Sequence, residues 1–140
     1  MGPRVLVVDD HPPMVQLIQE TLEGEGFSVL SAQNGAECLR VVAEEHPDLV
    51  ILDVEMPLMD GFQVLRALRL KHATRDLPVV MLTVRNTQTD MLAGLMKGAD
   101  EYLTKPCRME DLVAAVKRNL PAPALQEAQP LSLPRSPRAR

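Results

Sequence analysis

Short runs of Val, Ile and Leu alternate with segments of helical periodicity along the chain, and this alternation constrains the fold more than any other feature. The runs at 5–8, 49–52 and 79–82 lack the polar–apolar alternation of a strand with one wet face. They are therefore typical of strands in a parallel sheet that is buried on both faces. Two further strands are predicted at 27–32 and 101–104. Strands that alternate with helices predict a doubly wound α/β domain with right-handed crossovers.

The helices between these strands are predicted from apolar residues at positions i, i+3, i+4 and i+7. The segments with this period lie at 13–22, 36–45, about 62–71, 90–97 and 109–116. The residues predicted to face the core are Met14, Leu17, Ile18, Thr21 and Leu22, then Leu39, Val42 and Ala43, then Phe62, Leu65 and Leu68, and finally Met109, Leu112, Val113 and Val116. Pro13 suits the first turn of a helix, and His46 with Pro47 is expected to end the second.

The composition predicts one folded domain at residues 1–120 and a Pro- and Arg-rich disordered tail or linker at 121–140. The tail has five prolines with Ala, Gln, Ser and Arg between them, a composition that cannot bury a core. The chain as a whole has a net charge of −4. Because the tail is locally basic, the acidic charge is concentrated in the domain, which disfavours direct nucleic-acid binding.

Membrane and disulfide classes are also disfavoured by the sequence. No apolar stretch approaches the roughly 18 residues of a membrane span, and the N-terminal residues do not resemble a signal peptide. The two cysteines, Cys38 and Cys107, form no metal-ligand or disulfide pattern. We therefore expect a cytoplasmic protein with no membrane interaction.

Residues with phosphate or metal chemistry follow the apolar runs. These residues are Asp9 and Asp10, Asp53, Thr83 and Lys105. Open parallel sheets bind ligands beyond the carboxyl ends of their strands, so these groups are expected to meet in one crevice. Three clustered carboxylates need a cation, and hard oxygen ligands without Cys or His favour Mg²⁺. With the metal bound, a carboxylate can attack a phosphoryl group and form an aspartyl-phosphate.

This set of residues, with the MPxMDG loop at 56–61, resembles the receiver domain of bacterial two-component response regulators, such as the single-domain chemotaxis regulators. The resemblance covers about residues 4–120. It implies a flavodoxin-like (βα)5 three-layer sandwich with a five-stranded parallel sheet of order 2-1-3-4-5. It also implies a cis peptide bond at Lys105-Pro106. A receiver is a signalling domain and not an enzyme, because it assists only its own phosphorylation and dephosphorylation.

The resemblance also implies a role for each matching residue. Asp53 would be the phosphoacceptor, taking phosphate from the phosphohistidine of a sensor histidine kinase or a histidine phosphotransfer protein. Magnesium would be bound directly by Asp10 and largely through water by Asp9, and Asp53 and the backbone carbonyl of Glu55 would belong to the same metal site. The remaining two roles fall on Lys105, which would contact a phosphoryl oxygen, and Thr83, which would hydrogen-bond another.

Output would come from a two-state element formed by Thr83 and Tyr102. A downstream protein partner would bind the face of the fourth predicted helix, the fifth strand and the last helix. Tyr102 as an ordinary core aromatic is an equal alternative to this switch role. His11, next to the acidic pair, is expected to be a solvent-facing loop residue and not a ligand.

Two hypotheses concern residues individual to this chain. Glu55 and Arg85 flank the path of hydrolytic water and would form an ion pair that tunes the lifetime of the phosphate. Val84 is bulkier than the Ala of many relatives and would narrow access for small phosphodonors.

Competing functions remain at this stage. The domain could be a receiver fragment of a larger hybrid kinase or transcription factor. A magnesium-dependent phosphohydrolase resembling the haloacid dehalogenase family is disfavoured, because such enzymes have Asp where this chain has Glu55. A nucleotide-binding fold is disfavoured because no glycine-rich loop follows the first strand.

Overall fold

A computed structural model describes residues 2–84 and 98–121. The described elements, in chain order, are β1 (Arg4–Val8), α1 (Pro12–Gly24), β2 (Ser28–Ala32), α2 (Gly35–Glu45), β3 (Leu49–Asp53), α3 (Gly61–Leu70), β4 (Val79–Thr83), β5 (Glu101–Thr104) and α4 (Met109–Asn119). The helix predicted around 90–97 and the tail from 122 onward lie outside the described residues. None of the described helices has both the length and the apolar character that crossing a membrane requires.

The five strands form one parallel sheet of order β2-β1-β3-β4-β5, as the resemblance implied. Because the strands are parallel, their pairing register brings the polar residues at the carboxyl ends of the strands to the same end of the sheet. On neighbouring strands Asp53 pairs with Leu82, and Thr83 pairs with Thr104. Residues distant in sequence therefore meet beyond the carboxyl ends of β1, β3, β4 and β5, which is where open α/β sheets bind ligands.

The core is aliphatic and divided between the two faces of the sheet. Leu6 and Val8 of β1 belong to a cluster with residues of α2 and α3. Val5 and Val7 belong to a second cluster with residues of α1 and α4. β3 and β4 are buried along their whole length, whereas the edge strands β2 and β5 are only partly buried. This burial explains why the central strands have continuous apolar sequences.

Two residues predicted to face the core are exposed instead. Leu17 of α1 has 46% of its surface exposed, because the helix buries only Ile18 and Leu22 fully. Ala43 is also exposed. The residues that α2 buries are Gly35, Cys38, Val41 and Val42. The buried face of α2 is therefore shifted by one residue from the predicted face, so that Ala43 lies outside it. A shift of one residue corresponds to a rotation of about 100° around the helix axis.

The loop between β3 and α3 is fixed by tight local contacts. The Asp60 side chain accepts a hydrogen bond from Gln63 N at 3.0 Å, and the Gln63 side chain accepts one from Asp60 N at 3.0 Å, which forms a capping box. Gly61 N donates to Val54 O at 2.9 Å. A Cβ atom on Gly61 would lie 2.5 Å from Asp53 O, so only glycine fits beside the end of β3. The start of α3 therefore closely determines the backbone position of Asp53.

Arg69, at the end of α3, ties three segments together. Its guanidinium donates to the carbonyl oxygens of Gly98, at 2.9 Å, and Leu77, at 2.7 Å. It also pairs with Asp100 Oδ2 at 3.1 Å, and the same carboxylate oxygen accepts a hydrogen bond from Val79 N at 2.8 Å. This network fixes the start of β4 and the approach to β5 at the edge opposite the polar strand ends.

Candidate phosphoacceptor and metal site

Asp53 ends the central strand β3, and its side chain is only 1% exposed. Its oxygen Oδ1 accepts hydrogen bonds from Lys105 Nζ at 3.1 Å and from Glu55 N at 3.2 Å. Its other oxygen, Oδ2, is buried and accepts no hydrogen bond from any residue that the structure describes. A buried carboxylate oxygen without a partner is costly, so this atom is suited to a ligand.

Asp9 and Asp10 follow β1, where the chain turns into α1. Asp9 is 2% exposed, and its Oδ1 accepts a hydrogen bond from His11 N at 2.9 Å. Asp10 is partly exposed, and its Oδ1 lies 3.3 Å from His11 Nδ1. His11 has a largely exposed side chain, as expected, but its ring nitrogen also lies 3.4 Å from Asp9 Oδ1. Potential ligand atoms of these three residues lie within 4.8 Å of one another.

Lys105 links the acidic pair to Asp53. Its Nζ lies 3.4 Å from Asp9 Oδ2 and 3.1 Å from Asp53 Oδ1. Its backbone N donates to Thr83 O at 2.6 Å, which attaches the end of β5 to the end of β4. The Lys105-Pro106 peptide bond is cis, as the resemblance implied. The ammonium is therefore positioned between two buried carboxylates.

Among the residues that the structure describes, negative charge exceeds positive charge in this pocket, where Asp9, Asp10 and Asp53 lie around the ammonium of Lys105. Burial raises the pKa of Asp53 to about 6, and the charge of Asp9 adds to this effect, while Lys105 and the Glu55 N–H lower the pKa. Burial lowers the pKa of Lys105, but the hydrogen bond and charge of Asp53 outweigh burial, so the net shift is upward. A divalent cation would supply the missing charge, so the residues present fit Mg²⁺.

Thr83, at the end of β4, is fully buried. Its hydroxyl donates a hydrogen bond to Glu55 Oε2 at 2.6 Å, and Val84 N lies 3.4 Å from Glu55 Oε1. The carboxylate of Glu55 therefore engages both the side chain of Thr83 and the backbone just after it. Glu55 also donates its own backbone N–H to Asp53. Glu55 is thus in contact with Asp53 through its main chain and with Thr83 through its side chain.

Tyr102 is 6% exposed and belongs to the core cluster on the α2 and α3 side of the sheet. It stands opposite Met81 in the register of β4 and β5. This position is compatible with both sequence interpretations, an ordinary core aromatic and a switch residue.

The Glu55–Arg85 hypothesis depends on Arg85, which lies outside the described residues.

Val84 is 61% exposed beside the site. With Lys105, it lines an open cavity of about 500 Å³ whose other lining residues, in α1 and the turn before it, are His11, Pro13, Met14 and Leu17. Leu17, which is apolar but lies outside the core, is thus part of this cavity lining. The proposed narrowing of donor access by Val84 stays a prediction.

Sequence reasoning identified the residues that converge here but missed the side-chain role of Glu55. It assigned to Glu55 a backbone carbonyl ligand and a pairing with Arg85, not a hydrogen bond from Thr83. The signal was present, because Glu55 and Thr83 follow or end adjacent strands of the predicted sheet. What the sequence does not specify is the direction in which the Glu55 side chain turns.

Comparisons with known proteins agree with this architecture. The chain matches the family model described as response regulator receiver domain over residues 5–117. The crystallised chemotaxis protein CheY4 of Vibrio cholerae is 32% identical, with a TM-score of 0.80 over 86% of this chain and 100% of that one. The receiver domain of Francisella response regulator 1452 is 32% identical, with a TM-score of 0.79 over 84% and 95%.

A third similar structure comes from a different kind of protein. The signal receiver domain of a signal transduction histidine kinase from Syntrophus aciditrophicus is 32% identical, with a TM-score of 0.78 over 99% of this chain and 98% of that one. The fold and the strand-end residues define a receiver-type signalling domain. The chain belongs to the response regulator receiver family, the phosphoacceptor domains of two-component systems.

Proposed function

We propose that Asp53 accepts a phosphoryl group from a phosphohistidine of a sensor histidine kinase or a histidine phosphotransfer protein. The observation that carries the proposal is the asymmetry of the Asp53 carboxylate. Lys105 and the Glu55 N–H hold Oδ1, whereas Oδ2 is buried and accepts no hydrogen bond from the described residues. Oδ2 is therefore the oxygen suited to attack phosphorus.

The transfer exchanges one bond to phosphorus for another. A bond forms between Asp53 Oδ2 and phosphorus while the bond from phosphorus to the donor imidazole nitrogen breaks. The bonding pair stays on that nitrogen, and the donor leaves as neutral imidazole because one ring nitrogen carries a proton: either the other nitrogen already holds it, or the leaving nitrogen takes it from solvent. Lys105 would move from Asp53 toward a phosphoryl oxygen, and its charge would offset charge on the equatorial oxygens.

Magnesium is part of the proposal. Asp10, Asp53 and the backbone carbonyl of Glu55 would hold the ion directly, and Asp9 would hold it largely through water. Two observations on the described residues support a site for a divalent cation: carboxylates outnumber cationic groups there, and ligand atoms of Asp9 and Asp10 lie within 4.8 Å of one another. When bound, the ion would neutralise charge on the acceptor and the incoming phosphoryl group.

Output would follow from the charge that phosphate adds, roughly −1.5 to −2. Thr83 would donate a hydrogen bond to a phosphoryl oxygen, and Tyr102 would respond in the adjacent strand. A downstream protein partner would read the face formed by β5, α4 and the helix predicted around 90–97. The alternative of a receiver within a larger kinase or transcription factor stays a prediction. A cytoplasmic location belongs to the same proposal.

Acetyl phosphate labelling tests the proposal directly. The protein is incubated with acetyl phosphate and Mg²⁺, and the intact mass is measured before and after hydroxylamine treatment. We expect a single hydroxylamine-labile phosphate that Asp53→Asn abolishes. Asp76→Asn, whose carboxylate is 93% exposed in the loop before β4, is the matched control and should label normally. Labelling that survives in Asp53→Asn, or no labelling of the wild type, would overturn the assignment.

A further inference from the structure

The hydrogen bond between Thr83 and Glu55 has a chemical consequence for any second partner of Thr83. A threonine hydroxyl has one proton to donate. At 2.6 Å, that proton points to Glu55 Oε2, and the acceptor is a carboxylate, which makes the bond roughly twice as strong as one to a neutral oxygen. Thr83 is fully buried, so water does not compete easily for the proton.

We infer that the Glu55 side chain is a latch that holds the Thr83 hydroxyl until a phosphoryl oxygen accepts the hydrogen bond of that hydroxyl instead. This inference rests on the proposed function, because the competing acceptor is an oxygen of the phosphoryl group on Asp53. Thr83 Oγ1–H donates either to Glu55 or to the phosphoryl group, but not fully to both. Glu55 is therefore a positioning residue, and it raises the free energy required to move Thr83.

Backbone contacts make Glu55 well placed for this role. Its N–H donates to Asp53 Oδ1 at 3.2 Å, so the residue is anchored beside the acceptor. Its other carboxylate oxygen, Oε1, lies 3.4 Å from Val84 N, the first backbone group after β4. The two oxygens of one carboxylate thus hold the side chain of Thr83 and the backbone that follows it.

The magnitude follows from the strength of a hydrogen bond to a charged group, which changes an equilibrium by about tenfold to a hundredfold. Without the latch, a phosphoryl analogue should bind more tightly by about that factor, because Thr83 no longer has to leave Glu55. This gain in affinity should occur only when the Thr83 hydroxyl is present. A purely electrostatic effect of Glu55 on an anionic ligand would occur with or without that hydroxyl.

A double-mutant cycle separates these two explanations. Beryllofluoride, a phosphoryl analogue, is titrated in the presence of Mg²⁺, and Tyr102 fluorescence is recorded, since this chain has one Tyr and no Trp. The variants are Glu55→Ala, Thr83→Val and the double variant. Glu55→Gln keeps an acceptor oxygen but removes the charge. Glu44→Ala, an exposed carboxylate of α2, controls for the loss of one negative charge.

In the background that retains Thr83, we expect Glu55→Ala to tighten beryllofluoride binding about tenfold or more. In the Thr83→Val background, Glu55→Ala should have little effect on this binding. Glu55→Gln should give an intermediate gain. An equal gain with and without the Thr83 hydroxyl would overturn the latch while leaving the phosphoacceptor assignment intact. No binding to the wild type, together with no acetyl phosphate labelling, would overturn the phosphoacceptor assignment and the latch with it.

The ligand-free protein offers a test that does not depend on phosphate. A buried hydroxyl proton held by a carboxylate exchanges slowly with water and gives its own NMR signal. We expect a slowly exchanging Thr83 hydroxyl signal in the wild type and its loss in Glu55→Ala. A signal unchanged by Glu55→Ala would show that Glu55 is not the acceptor and would overturn the latch.

Discussion

Replacement of Asp53 by Asn should stabilise the metal-free protein at neutral pH. Burial raises the pKa of Asp53 from 3.8 to about 6, so the folded protein binds this proton more tightly than the unfolded chain does. This difference corresponds to about 3 kcal/mol. Because the folded pKa is raised, the wild type is most stable below pH 4 with respect to this group. It then loses stability as the pH rises to about 6.

Asn has nearly the same shape and does not titrate, so Asp53→Asn should lack this loss. The side chain is 1% exposed, so solvent screening takes away little of the effect. We expect the free energy of unfolding of Asp53→Asn, relative to wild type, to increase by about 2 kcal/mol between pH 4 and pH 7.

Urea unfolding in EDTA at a series of pH values measures this difference. Asp76→Asn, in an exposed loop, is the control for the loss of one carboxylate and should run parallel to wild type. Parallel curves for Asp53→Asn and wild type between pH 4 and pH 7 would refute the reasoning. Mg²⁺ should stabilise the wild type at pH 7 more than it stabilises Asp53→Asn, because binding to the folded state adds to stability.

Three further predictions concern the framework of the site. Gly61→Ala should destabilise the fold by about 1–3 kcal/mol in urea unfolding, because its Cβ would meet Asp53 O. Gly24→Ala, with nothing within 4 Å of its Cβ at the end of α1, should instead stabilise by about 0.5–1 kcal/mol; equal effects would contradict the steric argument. Arg69→Met should cost about 2–4 kcal/mol by loss of its hydrogen bonds to Gly98, Leu77 and Asp100, whereas Arg66→Met on the exposed side of α3 should change stability by less than about 0.5 kcal/mol. Lys105→Met should raise the pKa of Asp53, because Lys105 lowers it, and carboxyl NMR titration in EDTA would show no change if the contact were unimportant.

The sheet could be predicted from the sequence because each central strand has two features: a continuous apolar run and a polar residue at the end of that run. Val50 and Val80, for example, lie in continuous apolar runs, and each run ends at a polar residue that reaches the site. Helix faces were less well defined, because a helix turns 100° per residue and short stripes tolerate a shift of one position. That tolerance explains why Ala43 was predicted to face the core but is exposed.

For the candidate site, the sequence predicted which residues lie together but not all of the contacts between their side chains. Strand order and strand ends determine that Asp53, Asp9 and Lys105 share a pocket. The hydrogen bond from Thr83 to Glu55 was not predictable in the same way. It depends on side-chain rotamers of a residue in a loop, and several rotamers of Glu55 fit the same backbone pattern.

Lys105, which contacts Asp53, lies 52 residues further along the chain, directly after the edge strand β5, whose neighbour in the sheet is β4. During synthesis, β3 therefore leaves the ribosome well before Lys105 does. Under the proposed function, Asp53 would lack this cationic partner until β5 has docked. Phosphorylation that depends on Lys105 would thereby be restricted to chains in which all five strands of the sheet have assembled.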